Sequence, residues 1–430
     1  MFKLISATFF RQVIAGLSQL ATLVIIAKVL TVTEMGQYTV VILIPTLLSQ
    51  ILTLGIQSSN IYAVGRKKLK VEEGLYINLI LLSILGIVGT SITILVLTLF
   101  SDWLFPEIPK ILLILSSFAI TPLLFVTSLP SLLQAIQNFI LFNVTCILQP
   151  LFLLGSVLVS LAFSHNISVI ISAYLFSSFS SFFAILYLIL KNIKPQQYSL
   201  IKFLKDFFGY SLQSHLSNVL TLLNYRSSIL IISYLTTPVL VGLYTVGLQL
   251  VEKLWLPSQA ASTILLPRVT QLLENSESNA VKLTLDTARL VLVLTIAIAI
   301  IFILILPMAI DFLFGDRYKD SFLIALILLP GIIAWTPSRV IANDIAARGM
   351  ANVNLKIAFQ VLIVNVFLSI VLVINFEIEG AAIATTIAFI SDLFFRLYAY
   401  KIITKSPVAH MLIPRKTDIS LIISTVKRLT

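Results

Sequence analysis

Cysteine occurs once in this chain and histidine three times, and only 11% of its residues carry charge. Each shortage excludes something. A single Cys146, set in an apolar run, rules out a disulfide framework within the chain and reads as a core thiol. His165, His215 and His410 are scattered without ligand spacing, which argues against a metal centre and leaves any Ser or Cys nucleophile without a positioned base. No glycine-rich phosphate loop is present, so nothing points to a nucleotide or other cofactor. An acidic pair on an extramembrane loop, as a glycosyltransferase, polymerase or acyltransferase would show, is missing too, and no connection is long enough to fold as a soluble domain. The chain does not read as an enzyme.

What it has in abundance is apolar surface. Hydrophobic residues make up 59% of the chain and its mean hydropathy is +1.06, far above a soluble average, which defines a polytopic membrane protein. The formal net charge of +11 does not indicate nucleic acid, because its distribution follows membrane topology. With about 20 apolar residues needed per crossing, the first half offers spans near 7–30, 36–61, 75–99, 110–134, 140–163 and 167–190. The second half offers 208–235, 239–265, 287–313, 321–345, 355–375 and 380–402. Placing the N-terminus inside puts Lys3, Arg11, the run from Arg66 to Lys70, and the Lys191 to Lys205 segment on the inner side. Only Lys110, Arg317 and Lys319 fall outside. Twelve spans with both termini cytoplasmic satisfy this bias. The tail after Lys405 has the apolar spacing of a short surface helix, with a disordered end as the other reading.

One stretch occurs twice. Residues 24–44 (VIIAKVLTVTEMGQYTVVILI) align without a gap on residues 230–250 (LIISYLTTPVLVGLYTVGLQL), matching at Thr31/Thr237, Gly36/Gly242, Tyr38/Tyr244 and Thr39/Thr245 among others. Near the same offset, Pro122 and Pro130 interrupt one span and Pro330 and Pro337 another, with Ser131 and Ser338 following the second proline. Paired proline-broken spans mark transporters built from internal repeats, and both spans are expected to bend. Two related halves follow: 1–195, 196–405, and a cytoplasmic tail at 406–430.

Ionisable groups within spans cost about 2.5–3.5 kcal/mol each at the centre and therefore mark function by default. Lys28, Arg226, Lys253, Arg339 and Arg396 are the basic ones; Glu252, Asp344 and Asp392 are the acids. Asp392 and Arg396 stand four apart, acid first, the favourable order for a helical pair. Arg226 and Glu252 flank the Thr236–Pro238 turn at depths differing by about 5 Å, within reach of an ion pair. Asp344, near the inner boundary, reads as an end charge.

The stretch IIAKVLTVTEMGQYTVV resembles the first hairpin of the polysaccharide-transporting branch of the multidrug/oligosaccharidyl-lipid/polysaccharide (MOP) exporter superfamily, the Wzx-type O-antigen flippases. VGLYTVGLQLVEKLWLPSQAASTILLPRVTQLL and NFEIEGAAIATTIAFISDLFFRLYAYK are similar to the same family. The resemblance implies an all-α MATE-like fold of two six-helix lobes around a central cavity, in a bacterial cytoplasmic membrane. It implies as cargo an undecaprenyl-pyrophosphate-linked oligosaccharide for lipopolysaccharide or other surface polysaccharide, with membrane lipid and polysaccharide assembly proteins as partners. A lipid pyrophosphate needs cations facing a wet cavity, which selects Arg226, Arg339, Lys253 and Lys28 as cargo contacts, with Glu252 and Asp392 as sites for ion coupling. Lys28 stands where the family pattern favours Arg, and it lacks the bidentate fork. A cation-coupled multidrug exporter of the same fold is the first alternative, although its cavity would favour acids over the basic groups found here; an integral-membrane polysaccharide polymerase or acyltransferase is the second, and the missing outer domain counts against it.

The topology is directly testable. Single cysteines placed at Lys68 and Glu107 in a Cys146-free background are expected to label from opposite sides with an impermeant thiol reagent; labelling from one side would overturn the span count of the first half.

Overall fold

The computed structural model describes residues 2–411, and their regular structure is helical throughout. The expected surface helix of the tail lies outside the described residues beyond the short 3-10 turn Val408–Met411. The chain forms two compact units. Met1–Leu222 with Thr236–Gly242 makes the first, and Leu223–Leu235 with Leu243–Thr430 the second.

The first unit is built from α1 (Phe2–Val29), α2 (Val32–Leu52), α3 (Ile56–Gly65), α4 (Val71–Leu104), α5 (Lys110–Ser117), α6 (Ile120–Ser128), α7 (Pro130–Ala135), α8 (Phe139–Ser160) and α9 (Ile167–Asn192). It also takes the first part of α10 (Leu200–Leu235). The second unit takes the rest of α10, most of α11 (Pro238–Glu252), α12 (Leu256–Asn275), α13 (Glu277–Phe314), α14 (Ser321–Ala347) and α15 (Ala351–Thr404).

Ten of the described helical segments are long and apolar enough to cross a membrane. The last of them, α15, leaves helical geometry at Phe376 and Glu377, so its 54 residues form two consecutive spans. The 36 residues of α10 are also long enough to cross. With α10 included and α15 divided, the architecture is the twelve-span all-α fold expected.

These helices bury their small and polar faces and expose their large apolar ones. On α4, Gly86, Gly89, Thr90 and Thr93 are buried, whereas Ile87, Leu95 and Leu99 are exposed. Hydrocarbon solvates Leu as well as a protein core does, so packing between spans rewards close backbone approach, and small residues supply it. The first unit also holds a neutral polar knot. Asn60 and Asn78 exchange amide hydrogen bonds of 3.1 and 2.9 Å, and Asn60 Nδ2 donates to Ser131 Oγ at 2.8 Å. Because every donor meets an acceptor, the knot ties α3, α4 and α7 together without an orphan amide.

The proline pairs behave differently in the two halves. Pro122 and Pro130 help divide residues 110–135 into α5, α6 and α7, while α14 runs through Pro330 and Pro337 as one helix. A local bond softens the second case. Pro337 cannot donate to Ile333 O, and the Thr336 hydroxyl takes that carbonyl instead, at 2.9 Å. A further break separates α2 from α3, where Leu54 and Gly55 adopt φ of 45° and 80°. His215 Nε2 on α10 donates to Ile51 O beside it at 2.9 Å.

The repeated motif defines a backbone contact. Thr31 caps α2 in a reciprocal box with Glu34: its backbone N–H donates to Glu34 Oε2 at 2.9 Å, and Glu34 N–H donates to Thr31 Oγ1 at 3.2 Å. One turn later, a Cβ added to Gly36 would fall 1.7 Å from Pro238 O, and one added to Gly242 would fall 2.6 Å from Val32 O. The matched glycines thus let the first turns of α2 and α11 meet backbone to backbone within the first unit. Gly36→Ala is expected to destabilise the protein by about 1–3 kcal/mol through overpacking, read as a lowered Tm in detergent. Gly16→Ala, where the new methyl meets nothing within 4 Å, should be neutral or mildly stabilising.

Candidate functional site

The span charges of the second unit gather around an aromatic pillar. Tyr225 of α10, Trp255 of the 3-10 turn Lys253–Trp255, Trp335 of α14 and Phe389 of α15 stack with centroid separations of 5.1 Å (Tyr225 to Trp255), 5.2 Å (Tyr225 to Trp335), 4.5 Å (Trp255 to Trp335) and 6.1 Å (Trp335 to Phe389). Tilted and edge-on pairs of this kind contribute about 0.5–1.5 kcal/mol each beyond their buried area, so four segments distant in sequence are fixed at one point. Each cation selected from the second half is rooted here. Arg226 follows Tyr225, Lys253 opens the turn that ends in Trp255, and Arg339 lies one helical turn beyond Trp335.

The three cations are held in three different ways. Arg226 Nη1 donates to Glu252 Oε1 at 3.1 Å, with Nη2 3.5 Å from Oε2, so the guanidinium faces the carboxylate as a loose fork. The side chains keep 28% and 13% of their exposure, which leaves the pair accessible to a competing anion. Arg339 has no carboxylate partner among the described residues; its guanidinium carbon sits 5.4 Å from the centroid of the Trp335 ring. A half-buried guanidinium on an indole face is attracted by about 0.5–2 kcal/mol and keeps its hydrogen-bond donors for another ligand. Lys253 is half-buried and forms no salt bridge among the described residues.

Asp392 is more tightly engaged than Glu252. Arg396 Nε and Nη2 donate to its two oxygens at 2.8 and 3.0 Å, and the Ser338 hydroxyl donates to Oδ2 as well. Arg396 Nη1 completes the set by donating to Asn354 Oδ1 at 2.6 Å. Asp392 and Arg396 are both buried and mutually neutral, so a coupling cation reaches Asp392 only if Arg396 leaves. Ser338 occupies the repeat position of Ser131. In both units the serine after the second proline anchors a buried polar group.

Lys28 belongs to the first unit, exposed in the last turn of α1. The structure therefore gathers Arg226, Glu252, Lys253 and Arg339 around the pillar, keeps Asp392 in a buried pair, and leaves Lys28 on a separate unit.

Sequence reading missed two further groups. Asp344 is no end charge but is wholly buried, accepting from Thr284 Oγ1 at 2.5 Å, Tyr400 OH at 2.8 Å and Arg348 Nε at 2.5 Å; Arg348 Nη1 reaches on to Glu277 Oε1 at 2.9 Å. The Asp344/Arg348 spacing of four was a usable signal. The second group is a neutral polar seam. Asn365 Nδ2 donates to Asn224 Oδ1 at 2.9 Å, Ser369 Oγ donates to Asn365 Oδ1 at 3.2 Å, and Thr385 Oγ1 lies 2.8 Å from Ser228 Oγ and 3.1 Å from Tyr244 OH. Nothing in the local sequence announces it, because its members come from α10, α11 and both parts of α15.

The geometry defines a class, a polytopic membrane protein of MATE-like fold with a cluster of basic and aromatic side chains within its second unit. The chain belongs to the family described as polysaccharide biosynthesis protein, whose profile matches residues 2–272. No curated protein sequence matches it. Among solved structures, it is similar to the lipid II flippase MurJ in an inward closed conformation, at TM-score 0.77 and 19% identity, covering 96% of this chain and 89% of that one. The Vibrio cholerae MATE transporter VcmN, in a mutant form, gives TM-score 0.63 at 15% identity, with 95% and 97% covered. A MOP superfamily transporter from Pyrococcus furiosus, described as having a binding pocket of reverse polarity, gives 0.63 at 14%, with 94% and 96% covered. At these identities the likeness shows a common fold.

The buried pair supplies a sharp test. Arg396→Met alone leaves Asp392 uncompensated and is expected to cost about 3–5 kcal/mol, whereas Asp392→Leu combined with Arg396→Met should recover most of that stability. Thermal unfolding of the single and double variants checks it; equal losses in both would show that the pairing is not what matters.

Proposed function

We propose that this protein is a flippase that moves an undecaprenyl-pyrophosphate-linked oligosaccharide from the cytoplasmic to the outer leaflet of a bacterial cytoplasmic membrane, for O-antigen or related surface polysaccharide. One observation carries the reading: Arg226, Lys253 and Arg339 share an aromatic pillar inside membrane spans, and only Arg226 among them has a carboxylate partner among the described residues. Cations at such depth are costly unless an anion arrives to meet them, and a lipid pyrophosphate is a matching anion. Glu252 holds Arg226 while the site is empty and yields it to phosphate, the bidentate exchange for which guanidinium geometry is suited. Lys28 is the contact proposed from the first six-helix lobe, 1–195, the other three belonging to the lobe 196–405. Membership of the polysaccharide biosynthesis family and the fold shared with MurJ support the reading. The function needs no cofactor and no catalytic residue.

A cation-coupled exporter needs carboxylates open to its coupling ion, and here Glu252 and Asp392 are both held by arginines. If a coupling ion does enter, these two acids are where it would displace an arginine. Arg226→Ala and Arg339→Ala, at normal membrane levels, are expected to lower surface polysaccharide export about ten- to a hundred-fold, the loss of a charged hydrogen-bonding partner. Arg→Lys at either position should restore part of it. Export at the parental rate by both Ala variants would overturn the assignment.

A further inference from the structure

The first unit carries at one end a cationic surface that the proposed cargo contacts do not include. The turn after α3 presents Arg66, Lys67, Lys68 and Lys70, all exposed. It is a fixed turn. Lys67 takes φ +57°, Lys67 N–H donates to Val64 O at 2.9 Å, Lys68 N–H donates to Ala63 O at 2.8 Å, and Leu69 is buried in the core as an anchor. Lys194 stands exposed on the α9–α10 connection, and Lys202 and Lys205 on the first turns of α10. A backbone bond joins the two segments: Gln196 N–H donates to Glu72 O at 3.0 Å. Below them Leu69, Ile193 and Phe203 share one hydrophobic cluster, so the two basic segments form a single built surface. Neighbouring acids offset it only in part: Glu72, Glu73 and Asp206 stand beside seven cations, with Glu73 also capping the Lys70 N–H at 3.0 Å.

Large apolar side chains are exposed among these cations. Ile201 keeps 80% of its surface and Tyr187 64%, and Leu204 is also open. Lys191 Nζ lies 6.0 Å from the Tyr187 ring centroid, and Lys202 Nζ lies 5.7 Å from that of Tyr198. Exposed Ile and Leu beside Lys, with tyrosines at the same level, fit the boundary between acyl chains and headgroups, where both kinds of group are solvated.

We infer that this end of the first unit is a docking surface for anionic phospholipid headgroups of the surrounding bilayer, with the start of α10 seated at headgroup depth. The charge asymmetry that orients the spans places it on the cytoplasmic leaflet, whose surface is negative. Each cation near such a surface contributes about fivefold in partitioning. The inference stands apart from the transport reading, because it concerns lipid that stays in its leaflet and residues remote in sequence from the pillar.

The test uses full-length protein in phosphatidylcholine micelles with and without phosphatidylglycerol, counting retained phosphatidylglycerol per protein by native mass spectrometry. Lys67→Gln, Lys194→Gln and Lys205→Gln combined is expected to weaken retention at least about tenfold, while Arg317→Gln with Lys319→Gln leaves it unchanged. Retention by the unmodified protein should also fall steeply as salt is raised, a measurement that needs no variant. Equal retention by the triple variant and parent, or indifference to salt, overturns the inference. So does unchanged phosphatidylglycerol retention with loss of binding to an undecaprenyl pyrophosphate probe, which would make this surface a cargo-capture site.

Discussion

Desolvation of charge inside a low-dielectric layer is the constraint on which the rest of this structure depends. Each ionisable group carried into the spans of the second unit needs a compensating arrangement, and the arrangements differ in strength. Asp392 with Arg396, and Asp344 with Arg348, are closed by several donors at once and are shielded from solvent. Arg226 with Glu252 is looser and partly open. Arg339 has an indole face in place of a carboxylate. This gradient separates charges closed within the fold from cations left partly open, since a group closed by three partners cannot exchange without leaving a buried charge behind.

Packing obeys the same solvent from the other side. Without a hydrophobic drive between spans, helices associate where backbones approach closely and where polar side chains satisfy one another. Gly36 and Gly242 provide the first, because any side chain at either position would enter the backbone of the neighbouring helix. The Asn60/Asn78/Ser131 knot and the Asn224/Asn365/Ser369 seam provide the second. Proline is tolerated on the same terms: α14 stays whole where a threonine hydroxyl covers the carbonyl that Pro337 leaves free.

The aromatic pillar brings these two requirements together in the second unit. Tyr225, Trp255, Trp335 and Phe389 fix four segments, and three cations lie within four residues of pillar residues along the chain. Rigid support matters for anion recognition because long basic side chains lose rotamer entropy when they bind, and a stacked guanidinium has already lost part of it.

Class, span number and the repeat were legible in the sequence because each depends on composition or on linear spacing: about 20 apolar residues for a crossing, G-x-Y-T-V recurring after an apolar run. The Asp392/Arg396 pair was legible for the same reason, as four residues on a helix share a face, and the Arg226/Glu252 pair because depth can be counted from a turn. The pillar, the polar seam and the burial of Asp344 were not. Their members lie up to 164 residues apart, from Tyr225 to Phe389, and no local period records which face of one span meets which face of another. Sequence determined which residues had to be compensated within the membrane; only the tertiary structure decided which partner each one received, because in hydrocarbon that choice rests on close packing between helices rather than on the pattern along any one of them.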